Sequence, residues 1–595
     1  MSRFLVCWNR DGDRVAPAIV AAVDTLQAGE VRRLDRRDVF AWHWPSDWAP
    51  GAEDALPLER SGWIGSGVLR LDDRDALRAR LRDTGADGPG DDASLAWRAL
   101  ETWGVDAPRR WSGDVALAAV SHTRERLVVA RSGVGVRSAF HRTVAGLECV
   151  SDDLALLTSL AGTPCPISDR AVVEYLRLGH LATPTLTFHE GVTRVPASHT
   201  LVVERDGRHR LLRHWDLPEP EVRHGRTEQK VVDEFNDLLG RSLRDRLRGP
   251  RASLLLSGGL DSPTLAVLAQ RAAPDVALTG VTFSWARLLG DDEATYARLA
   301  ASAAGLSSHE VIEQAPAEGL PDGGIFSSPE PLPDPEPMLW RAQAARLARI
   351  APVTLLGEDM DALLAPSTLV EQLRTDGVMR TAYAWGEYAR ASGRRPWIGA
   401  RRSVPLLGRW RDARGTAAPA WLRTDMCAQF PLPSDHAPPH PRRSVGARAL
   451  RQPVWDATCW LEDPRMSGAE VTVLLPFMDP RIIAFCFALP SVPWGQRKYL
   501  LRRAMRGALP DALLERPKRP LAGYLDARVA QWNAASAHES FHESLHESLH
   551  ASVDRWVDLP RLRSALGGGD GKSTFVAWRA IELSRWIAQP RTVGA

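Results

Sequence analysis

Two stretches early in the chain alternate apolar and polar positions with the period of a half-buried strand. "VALAAVSHTRERLVVARS" (residues 115–132) reads as two strands about a polar turn. "TLVVERDGRHRLLRHW" (residues 200–215) repeats the design about Asp206-Gly207. Hairpins of this kind build an antiparallel sheet with helices packed on it. Residues 216–227, "DLPEPEVRHGRT", are rich in proline and charge, and 217–227 is read as a linker between a first domain at 1–216 and a second at 228–595. Helical periodicity follows in "VVDEFNDLLGRSLRDRL" (231–247). Beyond it lie short aliphatic runs bounded by Gly, Pro or Ser: "ASLLLS" (252–257), "VALTGVTFS" (276–284) and "APVTLLG" (351–357). The segments between them are long enough for crossover helices, which predicts an α/β domain with a parallel sheet. From Pro366 to Arg451 the pattern breaks. Rich in Arg, Trp and Pro and poor in acids, 366–451 reads either as a basic insertion or as a solvated loop region.

The chain has 595 residues, which suggests more than one domain. Hydrophobic content of 44% and charge of 25% are ordinary for a globular protein. A net charge of +2 gives no electrostatic reason to bind nucleic acid or a membrane, and neither is expected as a partner. The six cysteines form no CxxC pair, against a zinc ribbon or redox motif, and are too sparse for a disulfide scaffold. "MSRFLVCWNRDGDR" meets charge too soon for a secretory signal, and no long uncharged apolar run exists. The expectation is a soluble cytoplasmic protein.

The chemistry concentrates in "LLLSGGLDSPT" (254–264). A strand is predicted to end at Leu256 and a helix to begin after Ser262, with Pro263 in its first position, where the missing N–H is harmless. Gly258 and Gly259 allow a sharp turn and close approach of a ligand. Backbone N–H groups of such a turn and helix start converge on a point that suits pyrophosphate, and the Ser257 and Ser262 hydroxyls add donors. Asp261 would repel phosphate unless a cation such as Mg²⁺ is shared between them. This is no Walker A loop, which ends in Gly-Lys-Ser/Thr. "GGGDGKST" (567–574) comes near that motif, but it is one residue short and no strand is predicted before it, so it is read as a flexible loop.

The turn resembles the pyrophosphate loop of N-type ATP pyrophosphatases, and its context resembles the asparagine synthetase superfamily. "VTFSW" (281–285) and "DDEATYA" (291–297) look like that family's second strand and D-E-x-x-x-A element. "LLGEDMDALL" (355–364) resembles S-G-E-G-x-D-E, and "LLPFMDPRIIAFCFALP" (474–490) resembles R-x-PFLD. "RKYLLRRAMRGALPDALLERPKRPLAG" (497–523) resembles K-x-x-L-R … LP … R-x-K. The resemblance implies an α+β N-terminal glutaminase-like (Ntn-type) sandwich domain, then an α/β parallel-sheet ATP-pyrophosphatase (HUP-like) synthetase domain. It implies ATP and Mg²⁺ as cofactors: a carboxylate attacks the α-phosphate, and an amine then attacks the acyl-adenylate, releasing AMP. Ser257, Gly258, Gly259, Asp261, Ser262, Ser284 and Gly357 would bind ATP and its pyrophosphate, with Ser284 on the adenine side by position. Asp261 and Asp361 would hold the metal, Lys518 would stabilise charge at the reacting centre, and Glu358 would take the amine proton. Asp359 stands where the family has Gly, and Ala362 where it has an acid, so Asp361 is the less secure metal ligand.

Family glutaminases use an N-terminal cysteine, but residue 2 is Ser2, and Cys7 lies within the first predicted strand. The glutamine-binding N-G-E-x-Y-N stretch is also missing; "SGWIGSGVLRL" (61–71) occupies its region. The resemblance therefore implies a glutaminase scaffold without its chemistry, and an amine that belongs to the substrate. Among family variants the chain looks most like lasso-peptide cyclases, which join an Asp or Glu side chain of a peptide to that peptide's N-terminal amine. Arg401, Arg402, Trp410, Arg442 and Arg443 are read as a polar surface for such a peptide. A precursor peptide is then the substrate, with a leader peptidase and a leader-binding protein as partners by analogy. Asparagine synthesis from ammonia and β-lactam-type ring closure are the alternatives. A last feature, "AHESFHESLHESLHASV" (537–553), spaces His538, His542, His546 and His550 four apart. It reads as an amphipathic helix with His and Glu on the wet side; zinc binding by i, i+4 pairs is the other reading.

Overall fold

The computed structural model describes the chain apart from residues 1, 16, 26–29, 47, 134–135, 161–164, 287–289, 291, 315–327, 333–336, 398, 400–416, 434–439, 452, 518–552, 569–570 and 590–595. Lys518, Arg401, Arg402, Trp410 and the four histidines of the 537–553 stretch lie outside the described residues.

Among the described residues, the first half of the chain supplies twelve strands: β1 (Arg3–Asn9), β2 (Arg32–Asp35), β3 (Val39–Trp44), β4 (Leu58–Arg60), β5 (Trp63–Asp72), β6 (Ser112–Ser121), β7 (Arg126–Arg131), β8 (Phe140–Val144), β9 (Leu147–Ser151), β10 (Val192–Arg194), β11 (His199–Glu204) and β12 (His209–Arg213). They form two six-stranded sheets, ordered β10-β8-β9-β1-β3-β2 and β12-β11-β7-β6-β5-β4. Both predicted hairpins are present: β6 pairs with β7 and β11 with β12, the latter turning at Gly207 with φ 83°. Phe4, Val6 and Trp8 of one sheet meet Ile64, Val68 and Ala118 of the other in a common core. Helices Pro17–Thr25 and Leu154–Ser159 cover the outer face of the first sheet, while Arg74–Arg82 and Asp92–Trp103 cover the second. The four layers are the Ntn-type sandwich that the resemblance implied.

The second sheet system is parallel: β13 (Arg251–Leu255), β14 (Ala277–Ser284), β15 (Ser308–Glu313), β16 (Val353–Leu355) and β17 (Thr472–Leu474), in the order β15-β14-β13-β16-β17. The chain steps outward from β13 through helix Asp261–Ala272 to β14, and through Glu293–Ala304 to β15. It then returns through Pro337–Ile350 to β16, on the other side of β13. The crevice beyond the carboxyl ends of β13 and β16 is therefore a topological switch point, the usual ligand position in an open α/β sheet.

Three local expectations change. The helix after the Ser-Gly-Gly turn starts at Asp261, so Pro263 is its third residue. It is still in the first turn, where N–H groups lack an intrahelical acceptor. The described part of 366–451 is not simply loop: helix Leu369–Ser392 opens on a capping box between Thr368 and Glu371 and kinks at Gly377. The 567–574 stretch lies where helix Leu559–Gly568 gives way to Gly571–Ala588, so most of it is helical.

Candidate active site

The Ser-Gly-Gly turn is tied up by its own hydroxyls. Ser257 N–H donates to Ser262 Oγ at 2.8 Å, the two Oγ atoms are 3.0 Å apart, and Gly259 N–H donates to Ser257 Oγ at 3.2 Å. Gly258 N–H donates to Glu293 Oε1 at 2.8 Å. Of the expected anion cradle, the Gly258 amide is thus engaged by a carboxylate. Gly258 has a packing reason to be glycine, because a Cβ there would stand 2.5 Å from Tyr296 Cβ. Arg516 holds the turn from outside. Its Nη1 donates to Gly258 O at 2.7 Å and to Glu293 Oε2 at 3.1 Å, its Nη2 reaches Asp292 Oδ1 at 2.6 Å, and it lies 4.0 Å over the Tyr296 ring.

At the switch point the β16 loop presses on the turn. A Cβ on Gly357 would lie 2.9 Å from Ser262 N, so only glycine permits this approach. The contact brings Asp261 and Asp361 to the same cation. Lys498 Nζ is 2.5 Å from Asp261 Oδ2 and 3.0 Å from Asp361 Oδ1. Lys498 and Arg497 both have left-handed backbones, φ 56° and 52°, a conformation that costs about 1–2 kcal/mol per residue. Two carboxylates converging on one cation are an oxygen donor set that suits Mg²⁺. Ser284 is turned elsewhere: it is buried, and its Oγ accepts from Ala286 N–H at 3.2 Å.

Behind the metal-type carboxylates lies a buried acidic patch. Burial first, and the Asp261 charge second, push the Glu358 carboxyl up. Asp359 is pushed up to about 8 by burial and then by Glu358, Asp261 and Asp361. Glu462 also rises to about 8, through burial and then Glu358. Asp359 Oδ2 and Glu462 Oε2 are buried without a hydrogen-bond partner among the described residues. Asp359 and Glu462, each raised to about 8, retain their protons at neutral pH, and their titration is coupled to that of Glu358 between them. Asp359 adopts φ 78°, the conformation for which glycine is best suited and which Asp tolerates better than most residues.

Three residues beyond Glu462, Arg465 ties the same segment to the N-terminal domain. Glu462 belongs to the patch, whereas Arg465 donates to the Ser2 carbonyl oxygen at 2.8 Å and pairs with Asp152. Ser2 itself is buried, and its Oγ donates to Glu53 Oε2 at 2.6 Å. Glu53 also accepts from Trp48 Nε1 and Leu69 N–H, and burial pushes it up to about 7. Cys7 is buried in β1 opposite Cys149. Elsewhere between the domains is a cavity of about 360 Å³, lined in part by Arg194, Glu330 and Asp456. Tyr175, Phe188 and Trp215 of the first domain face Trp455, Trp460 and Met478 of the second across it.

An Asparagine synthase family model matches residues 234–588, and a Glutamine amidotransferase domain model matches residues 74–215. The chain belongs to the asparagine synthase family. It is 26% identical over 549 residues to a putative glutamine-hydrolysing asparagine synthetase of Mycobacterium bovis, covering 84% of this chain and 80% of that protein. Asparagine synthetase 3 of Bacillus subtilis is 21% identical over 456 residues, covering 70% and 68%. A solved B. subtilis glutamine phosphoribosylpyrophosphate amidotransferase overlaps 53% of this chain and 82% of its own at 11% identity, with a TM-score of 0.27 that bears no further weight.

Within this asparagine synthase frame the fold brings together Ser257, Gly258, Gly259, Asp261, Ser262, Gly357, Glu358 and Asp361, and leaves the Ser284 side chain on its own backbone. Arg443 departs from the peptide-surface expectation. It is buried, and its guanidinium donates to the carbonyls of Ala365, Cys486 and Leu489, because a fork of five donors suits a cluster of loop carbonyls. Arg442 likewise donates to Pro220 O. Lys498, Arg516 and Glu462 are functional candidates that sequence reasoning left without a role. The first two stand in the K-x-x-L-R and R-x-K elements, which were signal enough; Glu462 has none.

Proposed function

We propose that this asparagine-synthetase-like ATP-dependent amide ligase closes a macrolactam in a ribosomal peptide, as a lasso-peptide cyclase. The observation that carries this reading is the 360 Å³ aromatic cavity walled by both domains. It has the volume and apolar lining of a site for a ligand far larger than aspartate. The sealed Ser2 supports it from the other side. An Oγ already donating to a buried carboxyl, behind an Arg465–Asp152 ion pair, favours a nitrogen that arrives with the substrate.

The turn residues and Ser262 would hold the β- and γ-phosphates while a peptide carboxylate oxygen attacks the α-phosphorus. The bond to the β-phosphate bridging oxygen breaks, and pyrophosphate leaves against Lys498. Asp261 and Asp361 are the residues that would hold Mg²⁺, which supplies charge neutralisation on that leaving group. The peptide N-terminal amine then attacks the acyl carbon, the bond to AMP breaks, and ionised Glu358 accepts the amine proton. Lys518, carried over from the family pattern, would stabilise charge in both steps. Holding amine and acyl carbon in one molecule makes the second step effectively unimolecular.

Mass spectrometry of purified protein with ATP, Mg²⁺ and the leader-free precursor peptide encoded beside the gene tests this. Loss of one water from the peptide, with AMP appearing in step, supports the cyclase. Asparagine formed from aspartate and ammonia, or a product formed from a small β-amino acid, with the peptide untouched, replaces it.

A further inference from the structure

The N-terminal domain carries a ligand-type cluster remote from the acidic patch. His141 on β8 and Glu148 on β9 belong to one sheet, and His209 on β12 belongs to the edge strand of the other. One nitrogen or oxygen atom from each lies within 4.8 Å of the others. His141 Nε2 is 2.7 Å from Glu148 Oε2, and His209 Nε2 is 4.0 Å from the same oxygen. The two imidazoles meet edge to face with centroids 5.1 Å apart. In tetrahedral zinc coordination, bonds of about 2.0–2.1 Å place ligand atoms roughly 3.3 Å apart, between the two distances observed.

The surroundings favour a metal over a hydrogen-bonded cluster alone. Glu148 is buried, and Arg10 Nε stands 2.8 Å from its Oε1, while Oε2 lies toward the two histidines. His141 is buried as well, whereas the His209 side chain is 41% exposed. Three protein ligands and one solvent-facing side leave a fourth position for water. Imidazole nitrogens with one carboxylate select zinc over Mg²⁺ or Ca²⁺, which take oxygen ligands. The Arg10 charge beside the site limits its affinity, and the Thr143 hydroxyl, 3.1 Å from Oε2, must yield its hydrogen bond.

We propose that His141, Glu148 and His209 form a zinc site that staples the two sheets of the N-terminal domain. Binding replaces the hydrogen bond between His141 and Glu148 with two coordinate bonds, and any proton on His141 Nε2 is released to solvent. Because the ligands come from different sheets, the site exists only in the folded domain, and zinc binding adds to folding stability.

The test uses the full-length protein, stripped with a chelator and titrated with Zn²⁺ against a colorimetric chelator, with melting followed in parallel. Wild type should bind zinc and melt at higher temperature with it, a shift that His209→Ala loses, whereas any shift with Mg²⁺ should be the same in both proteins. His209→Ala, an exposed change that spares the fold, should weaken binding by more than about a hundredfold, beyond what losing a group that only orients a ligand costs. A His538→Ala, His542→Ala, His546→Ala, His550→Ala variant should keep the tight site. Zinc binding unchanged in His209→Ala, zinc lost only with the 538–550 histidines, or no zinc bound at all would each overturn the proposal.

Discussion

Lys498 pairs with Asp261 at 2.5 Å, joining the K-x-x-L-R element to the first residue of the helix behind the Ser-Gly-Gly turn. The same ammonium reaches Asp361, so one cation links three separate elements at the switch point. Lys498→Met should lower ATP–pyrophosphate exchange by about 10²–10³-fold, the magnitude of a lost preorganised electrostatic group. Lys498→Arg should fall between. Exchange at the wild-type rate in Lys498→Met would leave the ion pair as structural only.

Glu358 is placed to separate the two half-reactions. Glu358→Gln removes the proton acceptor but not the phosphate-binding turn. It should keep most ATP–pyrophosphate exchange while amide formation drops about 10²–10⁴-fold, the usual worth of a general base. Equal loss of both activities would mean that Glu358 orders the loop instead.

The acidic patch makes stability depend on pH with a definite sign. Glu462 and Asp359 are raised to about 8 in the fold, whereas an unfolded carboxyl titrates near ~4. Below ~4 both states hold these protons. Between ~4 and about 8 only the folded state does, so stability falls as pH rises through that window. Glu462→Gln mimics the protonated side chain. Its melting temperature should fall less between pH 5 and pH 8 than that of wild type; coincident slopes would refute the assignment.

Ser2→Ala should leave amide synthesis unchanged, and neither protein should hydrolyse glutamine. The variant deprives Glu53 of one hydrogen bond and should lose about 1 kcal/mol in denaturant unfolding. Glutaminase activity in wild type that disappears in Ser2→Ala would restore the domain's ancestral role.

Local chemistry made much of this molecule legible. Alternation gave away the β6–β7 and β11–β12 hairpins, and glycine and serine spacing gave away the turn after β13. The partners of that turn were hidden because they come from far along the chain. Lys498 is 237 positions from Asp261, and Arg516 is 258 from Gly258. Glu462 gains its character from burial beside Glu358, which no spacing reveals. The Thr368–Glu371 capping box was written in the sequence, yet the Pro- and Arg-rich composition around it argued for loop. Arg443 misled for a related reason: an arginine in a basic stretch reads as surface until its carbonyl acceptors are seen.

The seam between the domains carries buried or half-buried arginine–carboxylate pairs: Arg131–Asp456 at 2.5 Å, Arg194–Glu330 at 2.5 Å, and Arg465–Asp152. Removing one partner of such a pair strands the other charge, at about 3–5 kcal/mol. A glutaminase-type domain held this way is not an interchangeable module. A foreign domain that lacked Arg131, Arg194 and Asp152 would orphan Asp456, Glu330 and Arg465 together, so the two halves fit only as a matched pair.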